Sequence, residues 1–353
     1  MITEIYSNSL YMLLTTLLFA FAIDLLIGEF PVKIHPVVWI GNIISFFKKY
    51  LIKYDNKVSG LIISICVIAV SSLIVLVPMI LIKHFLYLND GMLYLFKLVA
   101  VLLLSSTFSV KLLLDSARDV EKDLKNNNLN KARQAVSYLV SRKTDELNKE
   151  HVISAVIETL SENIPDSYVS TIFYYSIIGI AASLLGVNDF NVIILAVLAA
   201  LIHRVVDTMD SMLGYKTDEL YNIGFVPAHL DDILNYIPAR LSGMLIVIAS
   251  AILGLNWKGA NFIMRRDARN CDSPNSGYTM ATVAGALNIQ LEKEGVYTLG
   301  DNLHPLKVEC IEKTIDIARF TIFLITIFFF VVFMDLILLQ LWFFNCLILF
   351  LWI

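Results

Sequence analysis

Long apolar runs alternate with long polar stretches along this chain. The apolar runs extend over 10–27, 61–82, 92–114, 169–185 and 192–206, followed by a shorter run over 241–255 and an apolar tail over 320–353. Most of these runs, as helices, are long enough to cross the roughly 30 Å of hydrocarbon in a bilayer. The tail predicts either one long tilted helix or a tight hairpin. The pattern therefore predicts several membrane-spanning helices.

The polar stretches between these runs extend over 28–57, 115–166, 207–239 and 256–318. In the second of them, apolar residues recur at helical spacing and predict helices over 116–125, 130–141 and 144–162, the last with Thr144 as its N-cap. We therefore predict an all-α fold, a polytopic helical integral membrane protein with helical cytoplasmic loops. It is expected to form a single membrane-embedded domain over 1–353, with polar cytoplasmic insertions at about 115–166 and 256–318.

The distribution of positive charge predicts the orientation. Residues 28–58 carry five lysines, and 115–165 and 256–319 carry eight Lys or Arg each, whereas 84–91 and 186–191 carry none. Basic loops stay in the cytoplasm, so we predict a multi-pass protein of the cell membrane with its N-terminus outside. The stretch 256–318 shares the cytoplasmic side only if the short run 241–255 is re-entrant or buried.

Composition agrees with a membrane protein and excludes some other classes. Hydrophobic residues make up 58% of the chain and charged residues 16%, with a mean hydropathy of +0.72, which is unusual for a soluble domain. The net charge of −4 says little about partners, but the lack of a basic tract predicts no nucleic-acid partner. Because the four cysteines have neither metal-site nor disulfide spacing, we predict no protein-bound metal cage and no disulfide.

Asp24 and His35 are the first candidates for substrate binding. Asp24 lies near the end of the first apolar run, and His35 follows in the next polar stretch. A carboxylate in such a run is costly unless it faces water or a partner. A snorkelling acid and an ordinary hydrogen-bonding histidine remain open alternatives.

An acidic group follows in the second polar stretch. Glu158 and Glu162 share one helix face, with Asn163 beside them and Asp166 at the helix end. Like charges at this spacing repel mildly, so a bridging cation or cationic substrate would explain them. A solvated acidic face is the alternative.

Two further acidic pairs stand at the ends of apolar segments. Asp207 and Asp210 lie about one helical turn apart, and carboxylates in this arrangement suit Mg²⁺, which usually shares substrate phosphates. Asp231 and Asp232 precede Arg240. Charged groups gathered at a membrane surface predict function more strongly together than singly.

A basic turn is the last candidate. Arg266 and Asp267 precede the turn sequence from Ser273 through Asn275 to Gly277, and a helix is predicted to begin near residue 278. A helix N-terminus beside basic residues favours an anion, which predicts a phosphate site. An ordinary capped turn and an anchor for anionic lipid headgroups remain alternatives.

In chain order, these motifs resemble those of a known family. The motifs are Asp24…Gly28…His35-Pro36, Ala117-Arg118-Asp119, Ser141-Arg142-Lys143-Thr144, Glu162-Asn163…Asp166, Thr208…Asp210-Ser211…Gly214-Tyr215-Lys216, Asp231-Asp232…Pro238-Ala239-Arg240, and Arg266-Asp267…Ser273-Pro274-Asn275-Ser276-Gly277. Over roughly residues 20–318 the chain resembles the adenosylcobinamide-phosphate synthase family of cobalamin biosynthesis, also called CbiB or CobD.

The resemblance implies an ATP-dependent acid-amine ligase. Such an enzyme joins aminopropanol, or its O-phosphate, to a propionate carboxyl of adenosylcobyric acid. The implied cofactors are ATP and Mg²⁺, and the implied partners are the corrinoid, the amine, the lipid bilayer and other cobalamin-pathway enzymes. The cobalt belongs to the substrate.

The motifs and the resemblance together nominate two sets of site residues. The catalytic candidates are Glu158, Glu162, Asn163, Asp166, Asp210, Asp231 and Asp232, with Asp207 and Asp210 as candidate Mg²⁺ ligands. The substrate-binding candidates are Asp24, His35, Arg142, Lys216, Arg240, Arg266, Asp267, Ser273, Asn275 and Gly277.

Two other classes compete with this interpretation. A membrane CDP-alcohol phosphotransferase also uses clustered aspartates with Mg²⁺, but its usual Asp-Gly-x-x-Ala-Arg pattern is missing. A polytopic transporter is expected to show inverted repeats, and no internal repeat is visible in the sequence.

Overall fold

The computed structural model describes residues 8–86, 90–140, 142–293 and 295–351, with the side chains of 90 and 343–351 left aside. Within these residues the first seven α-helices are α1 (Ser9–Leu26), α2 (Pro36–Leu51), α3 (Lys57–His84), α4 (Asp90–Ser105), α5 (Val110–Lys125), α6 (Leu129–Ser137) and α7 (Lys149–Ile164). The remaining seven are α8 (Ser170–Leu184), α9 (Asp189–Leu213), α10 (Phe225–Leu234), α11 (Tyr236–Ile252), α12 (Trp257–Asp267), α13 (Ser276–Leu287) and α14 (Glu309–Leu351). The predicted helical fold class is confirmed.

Six helical segments in the described ranges are long and apolar enough to cross a membrane. They are Ser9–Leu26, Lys57–His84, Gly91–Lys125, Lys149–Leu184, Asp189–Leu213 and Glu309–Trp342. The most apolar windows of α3 and α14 are only 22% and 28% buried inside the protein, as expected for helices that present apolar surface to lipid. The predicted multi-pass membrane protein is therefore supported by helix length and composition.

The region 225–252 is a bent pair of helices. Helices α10 and α11 meet at Asn235 with a bend of 47° and together pass the same length and hydropathy test. Pro238 lies in the first turn of α11, where its missing N–H removes no intrahelical bond. This geometry fits a broken span or a re-entrant segment, so whether 241–255 fully crosses the membrane or is re-entrant or buried stays a prediction. The apolar tail, in contrast, is one helix, α14, and not a hairpin.

The start of α7 differs from the prediction. The helix begins at Lys149, and the side chain of Asn148, not Thr144, caps it by accepting a hydrogen bond from the backbone N–H of His151 at 2.8 Å. Thr144 instead accepts a backbone hydrogen bond from Leu147 in the preceding turn. The predicted N-cap at Thr144 was wrong because Asn148 offers an equally good cap one turn later.

One short β-hairpin interrupts the otherwise helical fold. Strands β1 (Gln290–Lys293) and β2 (Tyr297–Gly300) pair antiparallel, with Gln290 opposite Gly300. Each strand has only four residues, so the alternation of buried and exposed positions is too short to stand out in the sequence. The hairpin lies in the insertion 256–318, for which the sequence predicted a turn and a helix but no strand.

The chain divides into two compact units. Unit 1 comprises Met1–Phe108, Thr171–Pro227 and Ile325–Ile353; inside it, α9 packs against α1 to α4. Unit 2 comprises Ser109–Ser170 and Ala228–Leu324; inside it, α13 is surrounded by α7, α11, α12 and the hairpin. The prediction of a single membrane-embedded domain stays a prediction.

Candidate functional site

In unit 1, His35 serves the local structure at the start of α2. Its Nδ1 accepts a hydrogen bond from the backbone N–H of Val37 at 3.2 Å, and its Nε2 lies 3.3 Å from a carboxylate oxygen of Glu29. His35 thus caps the helix with one ring nitrogen and contacts an acid with the other. Asp24 is buried in the last turn of α1. Their proposed contacts with substrate stay predictions.

The candidate Mg²⁺ ligands also belong to unit 1, at the end of α9. The Asp207 carboxylate is already engaged by Arg204, with 3.0 Å between Nη1 and Oδ2. Asp210 lies beside Gly214 at the helix end, and Lys216 is exposed in the following turn. Among the described residues, no group of three or more His, Cys, Asp and Glu side chains could hold a metal ion.

In unit 2, Glu158 is the centre of a polar network. This buried carboxylate accepts hydrogen bonds from Ser154 Oγ at 2.6 Å, from Arg142 Nη2 at 2.9 Å and from the Tyr297 hydroxyl at 2.8 Å. The donors come from α7, from the loop before it and from β2. A buried charge is tolerated when it is paired and hydrogen-bonded in this way. Arg142 of the same chain thus supplies a cation to Glu158, while a cation or cationic substrate bridging Glu158 and Glu162 stays a prediction.

The charges of Glu158 and Glu162 act on two neighbouring groups, the Tyr297 hydroxyl and the Cys271 thiol. Burial, and then the charge of Glu158, raise the pKa of the Tyr297 hydroxyl, so it stays protonated and donates to the carboxylate. Burial raises the pKa of the half-buried Cys271 thiol to about 12, and the charges of Glu162 and Glu158 add to the effect. The network therefore places two glutamates near one neutral thiol and one neutral phenol.

A change of helical geometry separates α7 from α8. Residues Pro165–Val169 form a π-helical turn that contains Asp166. Pro165 has no N–H to donate into the helix, and π turns often occur at functional sites. Asn163, just before this turn, donates its side-chain amide to the Thr159 carbonyl at 2.8 Å.

Asn235 joins this region to the bend between α10 and α11. Its side-chain carbonyl accepts a hydrogen bond from Ser170 Oγ at 2.7 Å, and its amide donates to Asp231 Oδ1 at 3.0 Å. Both polar ends of a buried amide are thus satisfied. Asn235 was part of the Asp231–Arg240 motif in the sequence but was not among the nominated site residues.

Arg240 connects that bend to the turn before α13. Its guanidinium lies 3.4 Å from the ring centroid of Tyr236 and 4.2 Å from that of Tyr278. It also donates to Asn275 Oδ1 at 3.1 Å, and Asn275 Nδ2 donates to the Asp232 carbonyl at 2.9 Å. Stacking and hydrogen bonding together fix the planar cation. The structure therefore links Arg240 through Asn275 to the backbone of Asp232.

Arg266 and Asp267 form a second, separate set of contacts in unit 2. Two guanidinium nitrogens of Arg266 donate to the two carboxylate oxygens of Asp267 at 2.7 and 2.8 Å, and a third lies 2.9 Å from Asp301 Oδ1. Asp267 also accepts the backbone N–H of Gly300 at 2.8 Å. Gly300 has φ +81°, a conformation that favours glycine. In this structure the guanidinium of Arg266 binds the carboxylates of Asp267 and Asp301. A role of Arg266 in phosphate binding stays a prediction.

These contacts determine the charge of both groups. Burial alone would raise the pKa of Asp267, but the hydrogen bonds from Arg266 and from Gly300 outweigh it, so the pKa lies below its usual value. The hydrogen bond with Asp267 raises the pKa of Arg266. Both groups are charged at neutral pH and hold the end of the hairpin to the end of α12.

Ser273 and Gly277 have structural roles in the turn before α13. Ser273 Oγ accepts a hydrogen bond from the backbone N–H of Asn275 at 3.2 Å. A Cβ atom at Gly277 would collide with the backbone carbonyl of Ala268, so only glycine permits this close approach.

Two side chains of the network around Glu158 were missed in the sequence. Ser154 lies four residues before Glu158 on the same helix face, a spacing that could have indicated the contact. Tyr297 is 139 residues from Glu158 in the chain, and no local motif marks it. The hairpin alone places its hydroxyl at the carboxylate.

Fold and site together define a class: a helical multi-pass membrane protein whose polar side chains converge in networks around buried acids. The sequence profile described as CobD/Cbib protein matches residues 17–348. This chain therefore belongs to the CobD/CbiB family of cobalamin biosynthesis proteins.

Curated relatives agree with this assignment. The chain is 42% identical over 313 residues to a protein named "Probable cobalamin biosynthesis protein CobD" from Methanothermobacter thermautotrophicus, covering 89% of this chain and 95% of that protein. Proteins with the same name from Methanococcus aeolicus and Methanocaldococcus jannaschii are 38% and 36% identical, covering 81% and 80% of this chain and 86% and 87% of theirs. No solved structure matches the chain.

Proposed function

We propose that this protein is an ATP-dependent acid-amine ligase of the cell membrane. It joins aminopropanol or its O-phosphate to a propionate carboxyl of adenosylcobyric acid and yields adenosylcobinamide or its phosphate. The network around Glu158 in unit 2 carries the proposal, because it combines a buried carboxylate, an arginine and further acids in a cobalamin-biosynthesis family. Membership of that family also disfavours the phosphotransferase and the transporter.

The proposed reaction has two balanced steps. A propionate oxygen attacks the γ-phosphorus of ATP, which forms an acyl phosphate and releases ADP. The amine nitrogen, after its ammonium gives a proton to a base, attacks the acyl carbon, which forms the amide and releases phosphate. Activation is needed because a carboxylate is a poor acyl donor, and ordered positioning of both reactants supplies much of the rate.

The chain offers side chains of suitable chemistry for each partner. Arginines such as Arg142 and Arg240 suit phosphates and corrinoid carboxylates, because a guanidinium donates two parallel hydrogen bonds. Asp231 and Asp232, at the bend between α10 and α11, are candidates for the proton acceptor, and so are Glu162 and Asp166. Glu158 itself accepts three hydrogen bonds, so we assign it the orientation of Arg142 and Tyr297.

Mg²⁺ is expected to arrive with the nucleotide as part of the substrate. The ion commonly uses one or two carboxylates plus phosphate oxygens. Asp207 is not poised to bind Mg²⁺ in this structure, because its carboxylate already forms an ion pair with Arg204. The assignment of Asp207 and Asp210 to Mg²⁺ stays a prediction.

One reconstituted assay tests the proposal. The full chain in lipid nanodiscs receives adenosylcobyric acid, MgATP and either aminopropanol or its phosphate, and mass spectrometry follows the amide product and ADP. We expect product and ADP in equal amounts, with none when ATP or the amine is left out. Folded protein that leaves adenosylcobyric acid unchanged with both amines would contradict the proposal.

A further inference from the structure

Helix α2 of unit 1 is amphipathic and too short to cross a bilayer. Its 16 residues give a length of about 24 Å, below the roughly 30 Å of hydrocarbon. One face, with Ile40 and Ile44 fully buried, packs against α3 and α9. On the opposite face, Trp39, Phe46 and Tyr50 are exposed.

The outward face of α2 combines large aromatic and basic side chains. We call this the aromatic-basic face, and it consists of Trp39, Phe46, Lys49, Tyr50 and, just beyond the helix, Lys53. Phe46 is 57% exposed and Trp39 41%. A face that meets only water is normally polar, so exposed aromatic rings of this size indicate an apolar partner.

The charges on this face point to an anionic partner. Helix α2 contains no Asp or Glu, and Lys48 and Lys49 stand in its last turn. Within the described residues, none of Lys48, Lys49 and Lys53 forms an ion pair. Exposed aromatic rings together with lysines are typical of surface helices that lie at the boundary between lipid headgroups and acyl chains.

We propose that the aromatic-basic face of α2 lies in the membrane interface and binds anionic lipid headgroups. The bilayer is the occupant because α3, which follows α2 after a short turn, is itself a candidate span. Phe46 and Tyr50, whose ring centroids are 5.0 Å apart, insert among the acyl chains, while Lys49 and Lys53 contact phosphate groups. Helix α2 then ties the start of α3 to the membrane surface.

Quenching of Trp39 fluorescence tests this placement without any measurement of activity. A variant that keeps Trp39 as its sole tryptophan is reconstituted into vesicles of brominated phosphatidylcholine, with increasing amounts of phosphatidylglycerol. We expect the brominated chains to quench Trp39, and quenching to increase with phosphatidylglycerol. In Lys49→Glu/Lys53→Glu the phosphatidylglycerol needed for half-maximal quenching should rise about tenfold or more, because each lysine near an anionic surface contributes about fivefold.

A matched control separates position from net charge. Lys131→Glu/Lys307→Glu changes the charge equally at exposed lysines outside this face and should leave the quenching curve unchanged. Absence of quenching in every vesicle would mean that the face meets water or another protein, and would overturn the proposal. Quenching that is the same with and without phosphatidylglycerol, in Lys49→Glu/Lys53→Glu and in Lys131→Glu/Lys307→Glu alike, would overturn the contact with lipid headgroups.

Discussion

Two buried carboxylates of unit 2, Glu158 and Asp267, are both paired with an arginine but differ in their surroundings. Asp267 is held by the adjacent Arg266 and by the backbone N–H of Gly300. Glu158 is held by three side chains from separate segments and lies near Glu162 and Cys271. A buried ion pair alone therefore does not identify a functional site.

The nature of the partners indicates the role of each acid. The contacts of Asp267 fix the backbone at the end of β2 and the end of α12, so they stabilise the fold. The contacts of Glu158 orient an arginine and a phenol, which are groups able to recognise a substrate. We therefore expect Glu158 to matter for activity and Asp267 for stability, and each substitution below tests that contrast.

The largest effect is expected for Glu158→Gln. Glutamine keeps the size of the side chain but removes the charge that orients Arg142. The rate of product formation should therefore fall about 1,000-fold, which corresponds to roughly 4 kcal/mol in activation free energy. Turnover is measured per folded molecule in the nanodisc assay. Glu150→Gln, at an exposed position in the first turn of the same helix, is the control and should stay within about twofold of wild type. Wild-type turnover in Glu158→Gln would give this acid a purely structural role.

Asp267→Asn should act mainly on stability. Its amide cannot receive the paired hydrogen bonds of Arg266, and we expect a loss of about 2 kcal/mol in the free energy of unfolding. This value is below that of a fully buried pair because Arg266 is half-exposed. Turnover per folded molecule should change by less than about threefold. Loss of turnover with an unchanged unfolding midpoint would reverse the contrast with Glu158.

The same acid predicts a pH dependence. Because the folded pKa of Asp267 lies below its ordinary value, its stabilisation is present above the ordinary pKa of about 4 and is lost as the pH falls through the folded pKa. Wild type should therefore lose its stability advantage over Asp267→Asn when the pH is lowered below about 4. An advantage that stays constant across this range would show that the charge of Asp267 contributes nothing.

Tyr297→Phe is expected to have an intermediate effect. It removes one hydrogen bond to Glu158 without changing the ring, so turnover should fall about tenfold, or roughly 1.4 kcal/mol. Tyr138→Phe removes an exposed hydroxyl and serves as the control. Equal turnover in the two variants would remove Tyr297 from the site.

The smallest effect is expected for Cys271→Ala. The nucleophilic form of cysteine is the thiolate, and a pKa raised to about 12 keeps the Cys271 thiol protonated at neutral pH. Turnover should therefore stay within about twofold of wild type. A loss comparable to that of Glu158→Gln would instead require a chemical role for the thiol.

The sequence predicted the elements better than the contacts. An apolar run as long as a bilayer needs identifies a helix such as α3, because period and length are local properties. The hairpin escaped prediction because its strands are four residues long. Asn148, and not Thr144, caps α7. Both residue types are good N-caps, and which of them caps the helix depends on the packing of α7.

In the candidate site, too, single residues could be predicted from the sequence better than their contacts. Glu158 could be nominated because it shares a helix face with Glu162, a like charge four residues further on. Its partners could not, since Tyr297 reaches Glu158 across 139 residues and only the packed hairpin brings it there. Arg266 was nominated as a phosphate ligand because a helix N-terminus follows it, whereas its fork is directed at Asp267 and Asp301.

The most direct test of the account is the ratio of turnover per folded molecule between Glu158→Gln and Asp267→Asn. Both variants are assayed in nanodiscs with adenosylcobyric acid, MgATP and the amine that wild type uses. The account predicts that Glu158→Gln is at least about 100-fold slower than Asp267→Asn per folded molecule. Equal turnover in the two variants, or slower turnover in Asp267→Asn, would contradict the assignment of the functional site to the network around Glu158.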